Sequence, residues 1–199
     1  AWLYVDSHGR IVLDRQKLYR HIKARRIFYI SDKGKVYAYD EGYYKSLTRR
    51  EVYSIIKRFI PVDVRKKSDW EAIGADIFTD GGDFCEKDFN QDENIIVVDN
   101  GVLHLDSGKL SKHSPKHLVT RKVPASYIPD ANLKDAPVFE KFIYGLSLDG
   151  DEQFKVVRML LEFIGAILSS VKGWRFKKML LLVGPGNTGK SKIRELVMM

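Results

Sequence analysis

The residues with the clearest chemical meaning lie in one short stretch, Gly184-Pro185-Gly186-Asn187-Thr188-Gly189-Lys190-Ser191, a match to G-x-x-x-x-G-K-S. Each position answers a requirement of polyphosphate binding. Glycines let successive backbone N–H groups turn onto phosphate oxygens without a side-chain clash. Lys190 brings a point charge to the β- and γ-phosphates, and Ser191 offers a hydroxyl to a nucleotide-bound Mg²⁺. A helix starting at the end of the stretch completes the anion site with its N-terminal amides and dipole. We therefore expect ATP with Mg²⁺ here, with Gly184, Pro185, Gly186, Asn187, Thr188, Gly189, Lys190 and Ser191 as the binding residues. A Gly-rich strand-to-helix turn that only happens to fit the pattern is the plainer alternative. The pattern should arise by chance in roughly one chain of this length in a hundred.

Such a loop needs a rigid platform. Met179–Val183, all apolar, reads as a buried parallel strand feeding into it. Only eight residues follow Ser191. A second acidic strand, a sensor residue and an arginine finger cannot fit there, so this stretch alone should not hydrolyse ATP. The start at Ala1 rather than Met adds to the expectation of a fragment.

The preceding chain reads as α+β. Trp2–Val5 and Arg10–Leu13 are short strand candidates, and Asp14 can cap a helix to about Ala24. Arg26–Ile30 and Lys35–Asp40 suggest a hairpin that continues into Tyr43 and Tyr44. Thr48 with Glu51 forms one capping box and Ser68 with Glu71 a second, with Trp70, Ile73 and Ile77 sharing a face of the helix that follows. The Asp-, Asn- and Gly-rich stretch Thr79–Glu93 reads as a loop and boundary. Asn94–Val98 and Val102–Leu105 form a hairpin, then come a basic loop, Ser111–Lys116, and an extended stretch, Leu118–Val123. Pro137 opens a helix. A longer helix runs to about Ser169, with Asp149, Asp151 and Glu152 at its start. Its apolar residues surround it, which predicts central burial. The expected divisions are residues 1–85, a small accessory subdomain; 86–175, hairpin plus helices; and 176–199, the start of a P-loop domain.

The charge of +8 and pI near 9.4 favour a polyanionic partner. Basic clusters at Lys23/Arg25/Arg26, Arg49/Arg50, Lys57/Arg58, Arg65/Lys66/Lys67, Lys109/Lys112/Lys116 and Arg121/Lys122 interleave in part with Tyr29, Tyr37, Tyr39, Tyr43 and Tyr44. Basic grooves with aromatic platforms bind single strands, although tyrosines are also ordinary strand formers. His104, His113, His117 and Cys85 lack the spacing of a zinc site. The acidic pairs Asp80/Asp83 and Asp149/Asp151 read as solvated turns and helix starts. A single cysteine excludes an internal disulfide and fits a reducing cytoplasm, and no apolar run approaches a membrane span.

The order of these signals resembles a known family. Ile96–Leu105, Lys112-His113-Ser114-Pro115, Thr120–Pro124, Tyr127-Ile128-Pro129-Asp130-Ala131, the helix with Phe163–Leu168 and the loop Leu181–Ser191 are similar to the region that leads into the helicase core of phage, plasmid and poxvirus primase–helicases. The resemblance covers roughly residues 90 to 199. It implies a superfamily 3 helicase with an AAA+-like α/β ATPase core, entered here through its first strand, P-loop and helix. It also implies a homo-oligomeric ring, usually a hexamer, acting on single-stranded or forked DNA at a replication fork with other replication proteins. A primase or polymerase fused upstream would be in character. The resemblance places Lys190 at the β/γ-phosphates and Ser191 on Mg²⁺, while His104 departs from the family's acidic residue. Two other readings stand beside it: a non-catalytic DNA-binding or oligomerisation module with a vestigial P-loop, and an unrelated P-loop kinase or NTPase. The long approach before the loop disfavours the kinase.

Overall fold

A computed structural model describes residues 2–80, 82–146, 151–169 and 177–198. Asp149 and the Lys172–Arg175 linker lie outside them, as do the side chains of Asp151 and Glu152. The chain divides into two units, residues 1–91 with 114–121, and residues 92–113 with 122–199. The first division falls inside the Thr79–Glu93 loop, a few residues later than expected. The return of 114–121 to the first unit had no counterpart in the sequence reading.

In the first unit, β1 (Leu3–Val5) and β2 (Ile11–Leu13) pair antiparallel, and α1 (Arg15–Ala24) follows. Asp14 caps α1 by accepting from the Lys17 amide at 2.9 Å. Strands β3 (Tyr29–Ile30), β4 (Val36–Asp40) and β5 (Tyr43–Ser46) form an antiparallel meander. Helix α2 (Arg49–Arg58) begins at the predicted capping box. Thr48 Oγ1 accepts from the Glu51 amide at 3.3 Å, and Glu51 Oε2 accepts from the Thr48 amide at 2.8 Å. Thr48→Ala leaves the Glu51 amide without its acceptor and should destabilise the first unit by about 1 kcal/mol in urea unfolding.

The second predicted box does not form. Helix α3 (Lys67–Thr79) starts from Lys66, which makes no side-chain cap, and Ser68 lies within the first turn. The chain is extended at Arg65 and Lys66 and turns helical at Lys67, two residues too early for Ser68 to act as cap. The apolar faces agree with the periodicity. Leu18 and Ile22 of α1, Val52 and Ile56 of α2, and Ile73 and Ile77 of α3 close one core with Ile30 and Val36. Arg15 bridges to the buried Asp69 carboxylate at 2.8 Å, tying α1 to α3.

His21, on the same helix, lies 4.5 Å from the Trp2 ring and 6.1 Å from Phe59, and its Nε2 is shielded from solvent without a partner. Desolvation, followed by the nearby Arg25 charge, holds this imidazole below its usual pKa. A depressed folded-state value favours neutral His21, so its contribution is present above about pH 6.5 and is lost as the pH falls below that. The unfolding midpoint should therefore drop on acidification through this range. His21→Phe should flatten the dependence, and an unchanged pH profile in that variant would exclude His21 as its source.

In the second unit, β6 (Ile95–Val98), β7 (Gly101–His104) and β8 (Leu110–Ser111) form an antiparallel sheet with Val98 opposite Gly101. A Cβ at Gly101 would stand 2.4 Å from the Ser111 carbonyl oxygen, so only glycine admits β8 at this point. The stretch Leu118–Val123, expected to be extended, forms no ladder among the described residues. Two separate bonds take its place, Tyr44 N–H to Val119 O at 2.7 Å in the first unit and Val123 N–H to Val97 O at 2.8 Å in the second.

Helices α4 (Pro137–Tyr144), α5 (Asp151–Leu168) and α6 (Lys190–Met198) meet around Ile143, Val157, Leu160 and Ile193. Helix α5 is not centrally buried. Phe154 is 63 % exposed, and Leu161, Ile167 and Leu168 are exposed as well. Among the described residues only one side of α5 is covered, so apolar residues around its whole circumference do not mean burial all round. Taken together, the molecule is a mixed α/β protein with small antiparallel sheets.

Candidate functional site

The Met179–Val183 run does not pair as a parallel strand among the described residues. It nonetheless alternates. Leu180 and Leu182 pack on the Ile143–Leu160–Ile193 cluster, while Met179, Leu181 and Val183 are 84 %, 72 % and 84 % exposed. Period-two burial marks an extended segment with one covered face. A ladder needs a neighbouring strand, and no described segment of this unit supplies one there.

The segment delivers the chain to Gly184. Asn187 (φ 59°) and Gly189 (φ 84°) then adopt left-handed backbone and curl the loop back toward α6. Asparagine tolerates that region and glycine prefers it. Gly189 has a second constraint, since a Cβ there would meet Leu146 Cδ2 at 2.7 Å and Phe142 Cε2 at 3.0 Å. The loop is thus seated directly on the end of α4. The Gly189 carbonyl accepts from the amides of Lys192 (2.9 Å) and Ile193 (3.2 Å), so the ladder of α6 begins there. The amides of Lys190 and Ser191 precede that ladder at the positive end of the helix.

Lys190 folds back over the loop. Its Nζ donates to Gly184 O at 3.0 Å, to Thr188 Oγ1 at 2.8 Å and to Pro185 O. Thr188 Oγ1 in turn donates to Pro185 O at 3.0 Å. The ammonium therefore sits in a ring of neutral oxygens, and among the described residues no carboxylate is bonded to it. Neutral acceptors hold a cation less strongly than charged ones. Polyphosphate oxygens can replace them. Of the predicted residues, Gly184, Pro185, Thr188 and Lys190 are joined by hydrogen bonds, Gly189 starts the helix, Asn187 shapes the turn, and Gly186 and Ser191 are exposed.

The other candidates have structural partners. His104 Nε2 meets Ser111 Oγ at 2.9 Å, and His113 Nε2 donates to Val98 O at 2.8 Å. Among the described residues no group of three or more His, Cys, Asp or Glu is placed to hold a metal. Asp80 accepts from Tyr19 and pairs with Lys23, and Asp83 accepts from the Ile30 amide at 2.9 Å. Several basic residues are also engaged. Arg65 caps Ile60 O, Lys57 lies 4.3 Å from the Trp70 ring centre, and Lys122 pairs with Asp99 at 2.9 Å. Tyr37 and Tyr44 are buried with Phe89 in an aromatic cluster, so neither presents an open stacking face.

The architecture defines a mixed α/β protein whose second unit carries a glycine-rich, lysine-closed loop at a helix N-terminus. Residues 83–145 match the family model described as D5 N terminal like, a primase- and helicase-associated domain of phage and plasmid replication proteins. That match points to phage or plasmid DNA replication. It contains the β6–β7 hairpin, Lys112–Pro115, Thr120–Pro124 and Tyr127–Ala131, and it ends before α5 and the Gly184–Ser191 loop. No curated protein matches the chain.

Proposed function

We propose that this chain is part of a replicative DNA helicase of the superfamily 3 type, and that residues 184–191 bind Mg²⁺–ATP. The observation that carries the reading is Lys190, poised at the start of α6 over a loop whose carbonyls hold it only through neutral hydrogen bonds. The residues fit a triphosphate. A Cβ built on Gly186 meets nothing within 4 Å, so open space rather than protein packing lies where phosphates would approach. Lys190 would hold the β- and γ-phosphates, Ser191 would ligand Mg²⁺, and the first amides of α6 would face phosphate oxygens. The bound nucleotide supplies the phosphoanhydride whose hydrolysis powers movement on DNA. Cleaving it needs an acidic metal partner and an arginine finger, roles that no residue of this chain is assigned.

The match over residues 83–145 supports the replication context. The bare apolar face of Met179, Leu181 and Val183, opposite the covered Leu180 and Leu182, supports a segment built to be covered on both faces, as the strands of an α/β ATPase sheet are. The full assembly in this reading is a homo-oligomeric ring, usually hexameric, on single-stranded or forked DNA in the cytoplasm of a host cell. Titration with a fluorescent N-methylanthraniloyl ATP is the test. Saturable binding that requires Mg²⁺ and is reversed by ATP is expected. Absence of binding at millimolar nucleotide leaves the alternative, a DNA-binding or oligomerisation module with a vestigial loop.

A further inference from the structure

Two concavities open on the first unit, and Arg26 lines both. The smaller, about 400 Å³, is bounded by Arg26, Lys116, Tyr29, Tyr44, Phe84 and Asp83. The larger, about 530 Å³, shares Arg26 and is lined also by Tyr39, Asp40, Lys45, Glu51 and Arg58. We infer that these joined concavities hold consecutive nucleotides of a single DNA strand, with Arg26 at the phosphate between them.

The aromatic part is rigid. Tyr44 is 3 % exposed and its hydroxyl donates to Pro115 O at 2.9 Å, which fixes the floor to the 114–121 segment. Tyr29 and Phe84, both half-buried, pack on it with centroids 5.1 Å and 6.2 Å away and stand 6.5 Å from each other. The half-buried Tyr29 and Phe84, held in place by the buried Tyr44, offer the ring faces on which any base can stack. Two exposed cations sit at the rim. Among the described residues neither the Arg26 guanidinium nor the Lys116 ammonium has an ion-pair partner. Asp83 shares that rim, with one carboxylate oxygen on the Ile30 amide. A carboxylate beside two cations disfavours an acidic peptide or a bare anion. It suits a nucleotide, whose base edge donates hydrogen bonds while its phosphate takes the cations.

The backbone is unusual at the same place. Arg26 (φ 49°) and Leu118 (φ 47°) are both left-handed, and both line the smaller concavity. Arg26 follows the last turn of α1, where such a conformation ordinarily selects glycine. Strain of this kind, kept in a charged residue, concentrates at binding sites. The second concavity favours a strand over a free nucleotide. It adds Arg58 and, among the described residues, an unpartnered Tyr39 hydroxyl beyond the first phosphate position, with Asp40 and the Lys45–Glu51 pair (3.7 Å) in the same lining.

The inference rests on a DNA-handling role but not on the ATP loop. Fluorescence anisotropy with a labelled oligothymidylate of about 15 nucleotides tests it. The chain should bind at low salt. Arg26→Gly, which suits the local φ and should leave the unfolding midpoint unchanged or higher, and Lys116→Ala should each weaken binding about fivefold or more. Their combination should lower the log–log salt slope by about 1.4, the share of two single-strand phosphate contacts. Lys190→Ala should lose nucleotide at the loop and keep the strand, which separates this site from the proposed ATP site. Absence of strand binding by the unaltered chain, or wild-type affinity in the double variant, overturns the inference. Equal competition by thymidine monophosphate overturns the strand assignment in favour of a free-nucleotide site.

Discussion

Lys190→Ala should lower affinity for Mg²⁺–ATP by at least about a hundredfold, or about 2.7 kcal/mol, while leaving the unfolding midpoint of the chain nearly unchanged. The asymmetry follows from the geometry. Among the described residues the ammonium bonds to Gly184 O, Pro185 O and Thr188 Oγ1 on an exposed loop, and Thr188 already donates to Pro185 O. Losing it leaves no buried donor or acceptor unpaired, so the fold has little to lose. A polyphosphate loses its charge-assisted partner, and neither the glycines nor the α6 amides replace a full positive charge. Fluorescent-nucleotide titration beside circular-dichroism melting measures both quantities. A variant that melts early, or that binds as the unaltered chain does, contradicts the role given to Lys190.

Ile56→Ala should have the largest effect on stability, roughly 3 kcal/mol, against a typical domain total of about 5–15 kcal/mol. Ile56 is fully buried on α2 and packs in the cluster with Ile73, Ile77, Leu18 and Ile22. Three helices and a small sheet close on this one apolar contact region, so neighbours cannot collapse into the space without moving an element. Urea unfolding should show a lower midpoint with little change in slope. A loss below about 1 kcal/mol would mean that the core is more plastic than its burial indicates.

What could be read from the sequence was local. Asp14, Thr48 with Glu51, and the hairpin of Asn94–Val98 with Val102–Leu105 are each announced by residues a few positions apart, and each forms, with β7 starting one residue early at Gly101. Ser68 failed because the path into α3, set by the turn at Val62–Val64 and the extended Arg65–Lys66, outweighs a local capping preference. The return of residues 114–121 carries no local signal. It depends on Tyr44 N–H meeting Val119 O and on Asn90 bonding Thr120 at 2.8 Å and 3.0 Å, pairings between distant parts of the chain. Helix α5 and the Met179–Val183 segment show the complementary limit. Apolar spacing reports which residues can be buried, whereas burial also needs a surface to receive them.

The two sites differ in the same way. Residues 184–191 are legible as a unit because their chemistry is written in consecutive positions. Arg26 and Lys116 stood out only as members of scattered basic clusters. The fold, not the spacing, brings them to one rim beside Tyr29 and Phe84.

The most direct measurement of the central claim is amide hydrogen exchange across residues 184–193 with and without a slowly hydrolysed ATP analogue and Mg²⁺. If the loop and the first turn of α6 cradle the phosphates, exchange should slow there, and the slowing should vanish in Lys190→Ala. Unchanged exchange in this stretch at saturating nucleotide, or protection confined to other segments, would contradict the account.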